Sequence, residues 1–183
     1  MFSFFGIHKK KKIKASVFVK TYVKNLNEVI DSGFSEIKDF INENHNLECT
    51  LELKDFDIKW FWIITLLANL SHLNSYFEEE EVLQLRGYVL DNILNMIDEN
   101  KELAMERFLN YENYFSQLIS KHNDILKCMA FAIFEKYNIN DFQGDMFKRK
   151  NKPNPILIHE LKNLLSHFLW NWDSDLKDYR IIF

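Results

Sequence analysis

Residues 58–70 carry only three polar side chains, Lys59, Thr65 and Asn69. A helix that is apolar nearly all round is normally buried on most sides. The run predicts a central helix over 57–76, with Asp57 placed to cap its first amides. A membrane span needs about 20 mostly apolar residues. Here Ser71, His72, Asn74 and Ser75 interrupt the run too early, which favours a buried helix.

The flanking chain shows the same helical period. Val19, Tyr22, Val23, Leu26, Val29 and Ile30 recur at three and four, predicting a helix over 15–32 that Gly33 stops. A short second helix is expected over 35–44, capped by Ser35. In 46–54, Leu47, Cys49, Leu51 and Leu53 alternate with polar positions. No partner strand is evident, so an extended connection or a short turn is expected there. Glu78–Glu81 suit the positive end of a helix over 78–99. Gly87 inside that helix costs about 1 kcal/mol relative to Ala, and a close helix crossing would explain it. Further helices are expected over 101–121, 123–137 and 155–172, with 138–155 as the longest break. The fold expectation is all-α: an irregular bundle of six or seven helices with no substantial sheet, helices 57–76 and 123–137 innermost. Residues 1–14 form a basic, aromatic tail and 15–183 a single helical domain.

Composition supports this. Glycine and proline together number six of 183 residues, leaving little for turns. Net charge is −4, but residues 1–24 hold seven lysines and no acid, so the remainder carries about −11. An acidic body argues against nucleic acid as a partner. The two cysteines, Cys49 and Cys128, belong to no metal motif and fit two buried thiols in a reducing, cytoplasmic setting. No phosphate-loop, dinucleotide or nucleophile-elbow signature is present. His159-Glu160 begins like a zinc-protease helix, but position 163 is Asn. No catalytic residue, cofactor or metal is indicated.

Three surfaces remain as candidates. Trp62, Thr65, Asn69 and His72 share one side of the central helix, either as satisfied structural groups or as the lining of a ligand pocket. Phe2, Phe4, Phe5, Lys9, Lys10, Lys11 and Lys12 could dock on an anionic membrane surface. Lys148, Arg149 and Lys150 form a basic loop cluster open to an acidic partner. The leading expectation is a non-catalytic protein-binding module, an adaptor or neutralising (immunity-type) protein in the bacterial style, presenting an acidic helical surface to another protein. The alternatives are a peripheral membrane accessory protein and a small-ligand binder. Oligomeric state is not indicated.

Overall fold

The computed structural model describes residues 10–183. The expected contacts of Phe2, Phe4, Phe5 and Lys9 lie outside them. The chain forms β1 (Lys11–Lys14), α1 (Ala15–Asn42), α2 (Ile58–His72), α3 (Glu79–Ile97), α4 (Lys101–His122) and α5 (Ile125–Lys136). It continues through the single turn α6 (Asp145–Lys148) to α7 (Pro155–Leu165), α8 (Trp172–Asp178) and β2 (Tyr179–Ile182). Among the described residues, seven helices longer than one turn and a two-stranded pair make an all-α irregular bundle. No helix among the described residues is long and apolar enough to cross a membrane.

α1 is one helix, not the two expected. Gly33 does not stop it, because the apolar stripe runs on in phase: Phe34, Ile37 and Ile41 are buried on the face that carries Leu26 and Ile30. Gly33 answers instead to packing, since Phe168 lies against the helix there. At Gly87 the expected helix crossing does not exist; a side chain there would meet open space.

α2 packs against α1, α4 and α5, and α5 packs in turn against α4 and α7. Phe61, Ile64 to Leu70, and Cys128 to Ala130 are buried, so the two expected central helices do form the interior. Asp57 caps the preceding 3-10 turn rather than α2, its carboxylate accepting from the Lys54 amide at 2.8 Å. The start of α2 is tied down by Tyr137. Its hydroxyl donates to the Asp57 carbonyl at 2.8 Å and accepts from the Phe61 amide at 3.1 Å.

Caps follow residue chemistry elsewhere. Asn100 accepts from the Glu102 and Leu103 amides, and Asp124 from the Lys127 amide. Segment 46–54 is irregular, as expected, with one antiparallel bridge from Leu47 to Gln143. Buried Gln143 organises the long break, donating to Asn140 and the Lys152 carbonyl and accepting from the Asn154 amide.

The ends of the chain differ most from expectation. Lys11–Lys14, read from the sequence as the close of a tail, pairs in parallel with Tyr179–Ile182, with Ile13 opposite Ile181. Trp172, expected at the end of a helix over 155–172, instead begins α8 after α7 stops at Leu165, and it is fully buried, its ring centroid 5.1 Å from Tyr22 and 5.2 Å from Phe77. Of the two free cysteines Cys128 is buried, but Cys49 is exposed, against the expectation that both are interior.

Candidate functional site

The polar side of α2 is not one pocket. Asn69 is fully buried, and three hydrogen bonds engage both its amide protons and its oxygen. Its Nδ2 donates to the Thr65 and Phe168 carbonyls, both at 2.9 Å, and its Oδ1 accepts from the Trp170 amide at 2.8 Å. It therefore brackets the segment between α7 and α8, and none of its polar capacity faces a ligand. The Thr65 hydroxyl is buried without a hydrogen-bond partner. His72 packs edge-on against Tyr76 at 5.1 Å, and burial lowers its pKa against an opposing pull from Asp173. Trp62 donates to Asn27 Oδ1 at 2.8 Å and faces a separate cleft of about 460 Å³ with Trp60, Tyr111, Met96 and Asp31. Trp62 and His72 thus line different depressions, and Thr65 and Asn69 line neither. The cleft keeps only Trp62 of the expected pocket.

The loop cluster is divided too. Arg149 pairs with Asp145 at 2.8 Å, and the Lys148 ammonium donates to the Asp141 carbonyl at 2.7 Å. Lys150 instead faces a cleft shared with α4, α5 and α7. Lys10, Lys11 and Lys12 are exposed.

An acidic groove lies along the C-terminal half of α1. Glu36, Asp39 and Phe40 recur at three and four, so they share one helical face, and Glu43, the residue that caps the end of the helix, lines the same groove. Ile37 and Ile41 bury the opposite face, which fixes this one outward. Glu160 and Leu164 of α7 close the far side, giving a groove of about 630 Å³ with Phe40 and Leu164 as its apolar floor. Glu36, Asp39 and Glu43 are exposed, and Glu160 accepts from Asn46 Nδ2 at 3.3 Å. Neither lysine nor arginine lines the groove, and among the described residues none of the four carboxylates has a salt-bridge partner. Lys38, one residue from Asp39, is turned to Asp55 at 2.6 Å. His45 is the one lining residue that can become cationic.

Sequence reasoning proposed an acidic surface without naming these residues. The spacing of Glu36, Asp39 and Glu43 was available to it. The crossing of α7 that adds Glu160 was not, because that contact is more than a hundred residues away along the chain. Compared with protein families, curated proteins and solved structures, the chain matches none.

Proposed function

We propose that the chain is a non-catalytic protein-binding module whose α1/α7 groove receives a basic segment of a partner protein, in an adaptor or neutralising role. One observation carries this reading. Four carboxylates from α1, its C-terminal cap and α7 surround an apolar floor with no lysine or arginine among the lining residues. Unpaired like charges held together raise the local potential and steer a partner of opposite sign. Phe40 and Leu164 supply the apolar contact that charge alone lacks. A basic amphipathic helix, with its apolar stripe on Phe40 and its lysines or arginines toward the carboxylates, fits this chemistry. We assign the protein to the cytoplasm, on the support of its two free cysteines.

The test is affinity capture of a partner by the intact chain and by a Glu36→Lys/Glu43→Lys double variant. Both positions are exposed, so the variant should fold with an unchanged circular dichroism spectrum and melting curve. The expected result is a soluble partner captured by the wild type, released by salt, and lost in the variant. A partner bound equally well by both forms would move the interface elsewhere. Substrate turnover by the isolated protein would end the non-catalytic reading.

A further inference from the structure

α7 separates two depressions of opposite charge. Its Glu160 and Leu164 close the acidic groove, while its Ile158 and Lys162 turn to a cleft of about 870 Å³ against the end of α4, the outer side of α5 and the segment 150–155. Five lysines line this second cleft: Lys121, Lys127, Lys150, Lys152 and Lys162. Lys162 is held by Asp124. Among the described residues the other four have no salt-bridge partner. Glu135 is the one lining carboxylate, and it is engaged by the Tyr114 hydroxyl at 2.5 Å. The floor is apolar and flat-sided. His122 stacks on Phe131 with ring centroids 4.2 Å apart and planes 25° apart, and Phe134, Pro153 and Pro155 continue it.

Converging ammonium groups repel one another, and an anion seated among them relieves that repulsion. His122 registers their field: its pKa is lowered first by burial, and then by Lys127 and Lys121. Its Nε2 is buried with no hydrogen-bond partner, so the ring enters the cleft by its stacked face with Phe131 and not by this nitrogen. Lysines suit phosphate as mobile point charges, and an aromatic floor suits a ring. The volume falls within the roughly 300–1,000 Å³ of small-ligand sites. A long polyanion is disfavoured, because the acidic groove lies on the other side of α7 and the whole chain is net negative.

We infer that the α4/α5/α7 cleft binds a small ligand of the nucleotide class, with its phosphates among Lys121, Lys127, Lys150 and Lys152 and its ring against the His122–Phe131 pair. This site is independent of the acidic groove and requires no reaction.

The experiment is calorimetric titration of the full chain with ATP, UTP, inorganic tripolyphosphate and adenosine at physiological ionic strength. At least one nucleotide should bind about tenfold or more tightly than tripolyphosphate, and adenosine more weakly than ATP. Lys127→Glu and Lys152→Glu should each weaken nucleotide binding at least about tenfold while leaving the melting curve in place, because neither ammonium has a salt-bridge partner to lose. Lys20→Glu, on the exposed side of α1, should change nothing. Tripolyphosphate binding within about tenfold of the tighter nucleotide would overturn the ring contact and leave only a diffuse positive field. Failure of both nucleotides to bind would overturn the site. A single-stranded oligonucleotide binding more tightly than ATP, with the same lysine dependence, would overturn the small-ligand assignment in favour of a nucleic-acid groove.

Discussion

Gly33 and Phe168 occupy the same space. A Cβ added to Gly33 would lie 2.4 Å from Phe168 Cε1 and 2.6 Å from its Cζ. Phe168 is buried and wedged edge-on against Phe61 at 4.8 Å, so its ring has little room to retreat. In a helix, Gly→Ala ordinarily gains about 1 kcal/mol. Overpacking a filled core costs about 1–3 kcal/mol. The steric term should win at this position, so Gly33→Ala should lower stability by about 1 kcal/mol in urea titration. Gly87→Ala is the control. Nothing lies within 4 Å of the added carbon, so propensity acts alone and the variant should gain about 0.5–1 kcal/mol. A stabilised Gly33→Ala protein would show that Phe168 can move aside.

Asn69→Ala should be among the most damaging substitutions in α2. It leaves the Phe168 carbonyl and the Trp170 amide without the partners they have now. A buried polar group left unpaired costs about 1–3 kcal/mol, so a total near 2–4 kcal/mol is expected. The damage should be local first, with Trp170 emission shifting toward that of a solvated indole before global unfolding. A variant that melts like the wild type would return Asn69 to the list of candidate ligand contacts.

The fold was legible where one segment's own pattern decides its fate. The nearly continuous apolar run in 58–70 and the wholly apolar run in 128–134 marked the two interior helices, and Pro155 marked a helix start. It was not legible where a distant residue decides. Gly33 reads as a stop signal until Phe168 is known to lie over it. Lys11–Lys14 reads as a solvated tail until Tyr179–Ile182 is found beside it. Trp62, Thr65, Asn69 and His72 do share one side of a helix, but three different neighbourhoods meet that side. Neither charged cleft belongs to a single element. Each joins α7 to helices or loops far from it in sequence, and a pattern read along one helix cannot show such a junction.

Stability should fall as pH drops from about 7 to 5. His72 and His122 both have pKa values lowered in the fold, chiefly by burial, whereas in the unfolded chain they titrate near 6.5. Below that value the unfolded state takes up protons that the folded state refuses, so the equilibrium moves toward unfolding. Their contribution is complete above about pH 6.5 and declines as pH falls toward the folded pKa values. Asp55 and Glu52 act lower, near pH 4, because hydrogen bonds from Lys38 and Lys54 depress their pKa values. Urea midpoints measured from pH 8 to 5 should show the slope, and His72→Gln with His122→Gln should flatten it. An unchanged slope in the double variant would assign it to other groups.

The N-terminal strand sets the terms for testing membrane association. Ile13 is half-buried opposite Ile181, and the four residue pairs of β1 and β2 join the two ends of the chain. Deleting residues 1–14 removes β1, uncovers Ile181 and leaves backbone groups of β2 unpaired. The expected cost is about 1–3 kcal/mol, a fall in Tm of roughly 3–10 °C. Sedimentation of that truncation with anionic vesicles would therefore compare a sound protein with a weakened one, and exposed apolar strand edges bind surfaces nonspecifically. Substitution of Phe2, Phe4 and Phe5 by Ser, with β1 intact, isolates the aromatic contribution. Lys11→Gln and Lys12→Gln, both at exposed positions, isolate the charge. A membrane anchor of this kind needs apolar insertion and basic attraction together. Each set of substitutions should then reduce sedimentation on its own, and added salt should reverse the lysine part alone. If both variants sediment as the wild type does, the tail is no anchor, and the case for a soluble partner at the α1/α7 groove is stronger.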